Sequence, residues 1–368
     1  MNTEIRARTR PGEVAAVAVV DGRLLDVAIE RPGAPDGVGD LHRGRITARV
    51  RAMAGAFVAL AGGVEGFLPD RQGAAGCGEG DAVVVRVTRA AQGGKGLRLA
   101  RAEGEAAGPP ALLGRGPGAV ERLAALHPAA PVTVDDPALA ARLAPLLAGR
   151  IRFAPAAWEP AIAEEFAALF EPEVALDGGA RLSITPTPAL TAIDVDLGAR
   201  VAGREGARAA HLAANRALLP ELARQIRLRH LGGAILVDFA GLALRGRAAL
   251  AAPLAAALAT DPLTPRLLGF TALGLAEILR PRVHPPLHER ARGPHAAALA
   301  GLAALEAACR APAATAGPAP VLSAAPAVAA ALAADAAANA EFRARNTIAP
   351  AWRSAAGLTG LGWRIDHG

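Results

Sequence analysis

Hydrophobic positions alternate with polar or small ones in short runs along the first part of the chain, a period of two that is typical of β-strands. The N-terminal residues predict a hairpin, with strands at 14–20 and 24–29 joined by Asp21 and Gly22, a favoured two-residue turn. A Pro- and Gly-rich stretch follows and ends this pattern. The chain therefore opens with a β-hairpin segment, which we assign to residues 1–37 and expect to pack on the core.

Five short strand-like segments come next, joined by glycine-rich turns and with no helical pattern between them. They lie at 44–50, 56–60, 66–68, 82–88 and 96–100. Five short strands in about sixty residues predict a small closed barrel of the OB type. We assign this barrel to residues 38–103.

Helical spacing of leucine and alanine appears beyond the barrel, after a Pro- and Gly-rich run typical of a linker. The predicted helices lie at 121–126, 137–147 and 159–170, and short strands at 130–134 and 149–153 alternate with them. Residues 104–180 are therefore interpreted as a linker followed by a reduced α/β region.

The most regular pattern lies in residues 181–290. A strand at 190–197 precedes a helix at 209–229, which is predicted to bend or split at Pro220 because proline cannot donate the helical hydrogen bond. The apolar run 234–239 then predicts a strand that is buried in a parallel sheet. This region is therefore the predicted catalytic core.

An Ala- and Pro-rich segment, residues 291–368, ends the chain and predicts helices at 298–309 and 328–343. Taken together, the elements predict an α+β protein. Its OB-type β-barrel is inserted near the N-terminus of a mixed α/β core.

Composition narrows the class of protein. Hydrophobic residues make up 52% of the 368, which excludes wholesale disorder, and a net charge of +6 favours a polyanionic partner. Cys77 and Cys309 are too few for a disulfide framework or a CxxC zinc site. The N-terminus lacks the apolar core of a signal peptide, and the apolar stretch 248–259 is too short to span a bilayer. We therefore expect a soluble cytoplasmic protein with no membrane association.

Acidic residues mark the two strongest strand predictions. Asp194 and Asp196 alternate with Ile193, Val195 and Leu197, so both carboxylates leave one face of their strand. A strand–helix–strand connection is right-handed by default, which makes the next strand parallel and near.

Asp238 ends that next strand, so Asp194 and Asp238 are predicted to emerge at the same end of the sheet, where α/β sheets place ligands. Converging carboxylates need a cation, and hard oxygen ligands suit Mg²⁺, with Mn²⁺ as the alternative. The competing interpretation is purely structural: Asp194 is then a strand-end residue and Asp238 an N-cap.

Aromatic residues are scarce, yet Phe57 and Phe67 lie on successive predicted barrel strands. OB barrels bind single strands by stacking bases on aromatic rings beside a basic groove, and Arg43, Arg45 and Lys95 are nearby in the prediction. The alternative interpretation is that both rings fill the barrel core. The first interpretation predicts a single-stranded RNA surface.

Longer stretches resemble a known family. HRGRITARVRAMAGAFVALAGGVEGFLP resembles the RNA-binding barrel of the ribonuclease E/G family. LTAIDVDLG, ELARQIRLRHLGGAILVDF and LGLAEILRPRVHPPL resemble its catalytic core and the segment that closes it. The resemblance covers about residues 14–102 and 181–288, and it implies a core of ribonuclease-H-like and DNase-I-like character.

The resemblance also implies residue roles. Two aspartates of the family hold a magnesium ion that activates water for phosphodiester hydrolysis, and they fall on Asp194 and Asp238. The family's substrate-gripping aromatics fall on Phe57 and Phe67, and its barrel lysine on Lys95. The implied activity is that of an endoribonuclease in RNA processing, ribosomal RNA included, or in RNA decay.

Several positions depart from the family pattern. Asp196 stands where an asparagine is usual, and Ala217 replaces a glutamate although Asn215 matches. The Arg-Thr pair of the 5′-monophosphate pocket is missing between 103 and 180, and Ala272 replaces its second arginine. The CPxC zinc link is also absent, so 5′-end sensing and a zinc-linked homodimer are not expected, although a homodimer of another kind remains open.

Three functions are compatible with these observations. The first is a metal-dependent endoribonuclease that cuts single-stranded RNA at Asp194 and Asp238, with Asp196 beside them. The second is a non-catalytic RNA-binding protein that retains the barrel. The third is a basic scaffold protein that assembles on ribosomes or nucleic acid.

Overall fold

The computed structural model describes residues 3–147, 149–198, 207–310, 321–346 and 351–366. These form two compact units, each assembled from separate stretches of the chain. The first unit comprises Met1–Pro35, Pro117–Glu165 and His288–Gly368, and the second Asp36–Gly116 and Phe166–Leu287.

The described ranges begin with nine strands that have no α-helix between them, and helices and strands are mixed after that. The strands are β1 (Thr3–Arg10), β2 (Glu13–Val20), β3 (Arg23–Glu30), β4 (Leu41–Val50), β5 (Gly55–Ala59), β6 (Glu65–Pro69), β7 (Ala82–Arg89), β8 (Leu97–Arg101), β9 (Ala111–Gly114), β10 (Val132–Val134), β11 (Ile151–Phe153), β12 (Glu173–Ala175), β13 (Arg181–Pro186), β14 (Leu190–Asp196), β15 (Gly233–Asp238), β16 (Arg266–Phe270), β17 (Ala276–Arg280), β18 (Val321–Ala324), β19 (Ala351–Ser354) and β20 (Trp363–Asp366). The helices are α1 (Ala119–Leu126), α2 (Pro137–Leu147), α3 (Pro160–Ala168), α4 (Ala207–Leu228), α5 (Leu244–Ala248), α6 (Ala251–Leu258), α7 (Leu287–Ala291), α8 (Pro294–Arg310), α9 (Pro326–Ala334) and α10 (Ala336–Asn346).

The first unit is built on a five-stranded sheet in the order β11-β10-β1-β2-β3. The predicted hairpin is confirmed as β2 and β3, and Asp21 and Gly22 both adopt positive φ in the turn. Strand β1 was not predicted, and β10 pairs with it in parallel. The region assigned to a reduced α/β segment thus joins the N-terminal sheet, because its strands complete the hydrogen bonding of β1 and its helices α1 and α2 cover the core.

The C-terminal helices belong to the same unit, in which a buried ionic network joins them to the N-terminal strands. Glu13 accepts a hydrogen bond from Arg31 Nε and lies 2.6 Å from Arg10, which also approaches Glu306 of α8. The helix predicted at 328–343 is two helices, because the Asp335 carboxylate accepts the Ala338 amide and starts α10 there.

The barrel in the second unit is closed. Its strand order is β5-β6-β8-β7-β4, and pairing of β4 with β5 completes the ring, which confirms the predicted five-stranded OB-type barrel. Strand β9, which lies in the predicted linker, pairs with β4 as a sixth strand. The linker therefore contributes to the barrel sheet. Strand β5 pairs with β4 only from Arg45 onwards, so the edge at residues 41–43 is free to accept β9.

The core sheet of the second unit has the order β12-β13-β14-β15-β17-β16, and β14 and β15 are parallel as predicted. Helices α4 and α6 cover one face, where Leu222, Ile226 and Leu254 pack on the sheet. The helix predicted at 209–229 continues without interruption through Pro220, whose side chain is exposed. On the opposite face, alternate residues of β14 and β15 are exposed.

Candidate active site and nucleic-acid surface

Two aspartates face each other across the parallel strands of the core sheet. Asp194 of β14 and Asp238 of β15 are directly paired in register, and both are exposed on the sheet face opposite the helices. Neighbouring strands lie about 4.8 Å apart, so the two carboxylates project side by side. Their flanking residues Ile193 and Val237 are buried in the core. Because successive residues of a strand point to opposite faces, Asp194 and Asp238 point to the exposed face.

Arg247 engages one of the two carboxylates. Its guanidinium donates to Asp238 Oδ1 at 2.7 Å, to the Gly274 carbonyl and to the Leu242 carbonyl. The Arg247 side chain is only 14% exposed, so it is a fixed support for Asp238. Arg247 was not predicted from the sequence, because it lies nine positions after Asp238 in α5 and no spacing rule links the two.

Asp194 has no hydrogen-bond partner among the residues that the structure describes. Asp238 Oδ2 is likewise left open there, because Arg247 binds Oδ1. Three carboxylate oxygens on one exposed sheet face are therefore available to an incoming cation or to a hydrogen-bond donor.

Asp196 lies two residues further along β14 on the same face, and its carboxylate is bound to other groups. Its Oδ2 accepts a hydrogen bond from Arg181 of β13 at 2.9 Å, and its Oδ1 accepts the Gly198 amide. The Gly198 amide and then the Arg181 guanidinium hold the pKa of Asp196 below its ordinary value. The structure thus brings Asp194 and Asp238 together and places Asp196 in an ion pair with the neighbouring strand.

A buried amide supports the loop that follows Asp238. Asn215 of α4 is fully buried and donates from Nδ2 to the carbonyls of His211 and Ala240. The His211 ring lies against Gly241, where a Cβ would come within 2.2 Å of its Nδ1 and where φ is positive. Gly241 therefore allows the close approach of helix and loop that fixes the end of β15.

The paired aspartates offer the oxygen donors of a metal site. Carboxylate oxygens are the donors that Mg²⁺ and Mn²⁺ take, and two carboxylates on one sheet face leave coordination positions for water and phosphate. Within the described ranges, no group of three or more acidic, histidine or cysteine side chains gathers around one point. The residues present therefore fit a two-carboxylate site of the kind that magnesium shares with a phosphate substrate.

The barrel carries its two aromatic rings on the outer surface. Phe57 of β5 and Phe67 of β6 are partners in register, their ring centroids are 5.5 Å apart and the rings meet edge to face. Both rings are half-buried, whereas their chain neighbours Val58 and Leu68 are fully buried in the barrel core. The Phe67 ring lies on Gly55, where a Cβ would come within 2.4 Å of Cζ. The rings therefore do not fill the barrel interior.

Two of the three basic residues that were predicted near the rings, Lys95 and Arg43, differ in position. Lys95 is exposed in the turn between β7 and β8, where its backbone bridges to Gln92. Arg43 lies on β4 five residues before Ala48, the partner of Phe57, and its Nε donates to the Pro109 carbonyl at 2.8 Å. Five residues of strand span about 16 Å, so the structure does not bring Arg43 beside the rings.

A search of the described helices for a stretch long and apolar enough to cross a membrane finds none.

The fold and the site together describe an OB-type barrel attached to an α/β core that exposes paired carboxylates. Residues 141–283 match the model of the Ribonuclease E/G family, a segment that contains Asp194, Asp196 and Asp238. Over this segment the chain is similar to that family.

Individual relatives match over a similar length. The chain is 35% identical to Ribonuclease E of Synechocystis sp. over 120 residues, which cover 32% of this chain and 18% of that protein. It is 34% identical to Ribonuclease G of Escherichia coli K12 over 122 residues, or 33% of this chain and 25% of that protein. The chain therefore matches a quarter or less of the length of these relatives.

Proposed function

We propose that this protein is a metal-dependent endoribonuclease that hydrolyses phosphodiester bonds in single-stranded RNA. The observation that carries the proposal is the register pair of Asp194 and Asp238 on adjacent parallel strands, exposed on one sheet face. Similarity over residues 141–283 to a family of ribonucleases, and to relatives named ribonucleases, supports RNA as the substrate class.

In this proposal, Asp194 and Asp238 would hold Mg²⁺, with Mn²⁺ as the alternative. Bound there, the ion would supply Lewis acidity toward a phosphoryl oxygen and toward water. Arg247 keeps the Asp238 carboxylate in one orientation through Oδ1, which leaves Oδ2 for the ion. Asn215 fixes the loop after Asp238 through the Ala240 carbonyl, so the carboxylate pair is preorganised before RNA arrives.

The barrel is proposed to hold the substrate strand. Phe57 and Phe67 offer half-exposed edge-to-face rings on which bases stack, and Lys95 supplies a cation for the backbone. The same arrangement is compatible with the second function, a non-catalytic RNA-binding protein, which would use the barrel and not the aspartates.

A fluorogenic single-stranded RNA, incubated with the purified protein, tests the proposal. We expect cleavage with Mg²⁺ and none with EDTA, and product mapping should show internal cuts. RNA binding without cleavage at any Mg²⁺ or Mn²⁺ concentration would favour the non-catalytic alternative.

Phe57→Ala and Phe67→Ala are each expected to weaken single-strand binding by about 1–3 kcal/mol, because each removes a stacking platform. Their cost in unfolding free energy should stay below the about 3–5 kcal/mol typical of a fully buried phenylalanine, since both rings are half-exposed. Fluorescence anisotropy with labelled RNA and thermal melting, on the same preparations, give the two quantities.

Leu68→Ala is the matched control for the aromatic variants. Leu68 is fully buried beside Phe67, so we expect this variant to lose stability and to keep its RNA affinity while folded. Aromatic variants that melt like Leu68→Ala and bind RNA normally would contradict the stacking role.

Equal cleavage rates are expected for otherwise identical RNAs with 5′-monophosphate and 5′-hydroxyl ends. Selective capture of a terminal phosphate needs a fork of donors, and Ala272 offers none at the position of the family's second pocket arginine. Initial rates on the two RNAs provide the measurement. A preference above about tenfold for the monophosphate, roughly 1.4 kcal/mol, would show that another pocket exists.

A further inference from the structure

A row of side chains crosses the outer surface of the barrel from strand to strand. Phe57 pairs with Phe67, Phe67 with Arg98 of β8, and Arg98 with Arg89 of β7. Residues paired across strands share a face, and all four side chains are half-buried, whereas Leu99 and Val87 point into the barrel core. Two aromatic rings and two guanidinium groups therefore form one continuous surface.

The core adds a third arginine at the end of this row. The Ala90 amide, directly after β7, donates to the Val283 carbonyl at 2.9 Å, which brings Arg282 to the end of the barrel strand. The Arg282 guanidinium lies against Gly233, where a Cβ would come within 2.0 Å of it. Gly233, at the start of β15, thus leaves room for Arg282 beside the strand that ends in Asp238.

The three arginines have no acidic partner within the described ranges. Arg89 donates to the Gly96 carbonyl through one terminal nitrogen, while its Nε is buried without a hydrogen-bond partner. Burial first, and then repulsion from Arg98 and Arg282, lowers the pKa of Arg89. Like charges are gathered here without compensation, which is a destabilising arrangement unless an anion binds.

We propose that Arg89, Arg98 and Arg282 bind an internal phosphodiester group of the RNA strand as it passes from the barrel rings towards the aspartates. This inference rests on the proposed function in one respect, namely that the chain binds single-stranded RNA. Guanidinium groups donate in a planar fork that matches phosphate oxygens, and aromatic rings beside them favour a base-bearing anion over inorganic phosphate. The site would thus hold the RNA between the aromatic rings of the barrel and the aspartates of the core.

The test uses a labelled 5′-hydroxyl oligouridine of about 12 nucleotides, a length suited to one OB fold, bound in EDTA at several KCl concentrations. Arg98→Gln and Arg282→Gln are each expected to weaken binding about tenfold, because each removes charged hydrogen bonds to a phosphate. Each should also reduce the slope of log affinity against log salt by about 0.7, the value for one phosphate contact on a single strand.

Arg71→Gln is the matched control. Arg71 is an exposed arginine of the same barrel that lies outside the row, so its loss removes the same charge, and affinity should change less than about twofold. If Arg98 and Arg282 hold the same phosphate, the double variant should lose less than the product of the single losses. Melting curves of every variant show that binding is compared between folded proteins.

Arg282→Lys provides a second route if Arg282→Gln fails to fold, because it keeps the charge and the aliphatic stem. We then expect a smaller loss of affinity with the salt slope retained. The shared subsite would be overturned if the Arg98 and Arg282 variants bound RNA as Arg71→Gln does. It would also be overturned if the loss of affinity in the double variant equalled the product of the two single losses. A loss confined to RNA with a 5′-monophosphate would also overturn it, since that result indicates a terminal phosphate.

The outcomes separate this inference from the proposed endonuclease. Arginine-dependent binding without any Mg²⁺-dependent cleavage would uphold the subsite and refute the catalytic function. Mg²⁺-dependent cleavage and RNA binding that are unchanged in the Arg98 and Arg282 variants would support the endonuclease and refute the subsite.

Discussion

Asp238→Asn is expected to lower the rate constant of RNA cleavage by at least about a hundredfold, with RNA affinity within about twofold of the unmodified protein. The substitution removes the charge that attracts the divalent ion, while the amide oxygen can still accept the Arg247 hydrogen bond that is seen at Oδ1. Affinity persists because the barrel rings and arginines lie on other elements. Single-turnover cleavage and anisotropy binding, with a Mg²⁺ titration, measure the two effects.

Asp196→Asn is the matched control for this prediction. The Asp196 carboxylate is bound to Arg181 and to the Gly198 amide, so its neutralisation should change the cleavage rate by less than about tenfold. It also introduces the residue that the resemblance to the family leads one to expect. Normal cleavage by Asp238→Asn, or an equal loss in Asp196→Asn, would contradict the assignment of the site to Asp194 and Asp238.

Arg280→Ala is expected to reduce the free energy of unfolding by about 3–5 kcal/mol, because it leaves a buried carboxylate without its partner. Arg280 of β17 is 5% exposed; it donates to Asp261 Oδ2 at 2.6 Å and to the Leu231 carbonyl at 3.0 Å. Asp261 is 3% exposed, so water cannot replace the lost guanidinium. Urea denaturation monitored by circular dichroism gives the free energy.

Two comparisons sharpen the stability prediction. Arg280→Met combined with Asp261→Leu should recover part of the loss, because the buried charge is then removed with its partner. Arg181→Ala breaks the exposed pair with Asp196 and should cost less than about 1 kcal/mol. Equal losses in Arg280→Ala and Arg181→Ala would show that burial does not govern these ion pairs.

Local pattern was sufficient to predict most elements of the chain. The alternation around Asp194 and the apolar run before Asp238 predicted strands β14 and β15, and the right-handed crossover rule predicted their parallel pairing. The Asp21-Gly22 turn and the five barrel strands were predicted by the same kind of short-range rule. These features follow from side-chain period and turn chemistry, which act over a few residues.

The sequence pattern did not predict strand pairing between stretches that lie far apart in the chain. Strand β1 and the segment containing β10 join one sheet although more than a hundred residues separate them, and β9 was interpreted as linker.

Helix α4 was predicted to bend or split at Pro220, and it is not split there. Pro220 lies on the exposed side of the helix, so the missing amide hydrogen bond disrupts no packed contact.

The sequence by itself determined strands β14 and β15 and the alternation of Asp194 with buried neighbours, since both depend on a local period of two. It left open whether Phe57 and Phe67 fill the barrel core, and the structure decided this by leaving both rings half-buried. Only the tertiary structure decided which charges meet. Arg247 binds Asp238, Arg181 binds Asp196, and Arg282 lies near enough to Arg89 to repel it. Such contacts arise from how separate strands and loops pack, and electrostatic partnership depends on distance in space, which spacing along the chain does not encode.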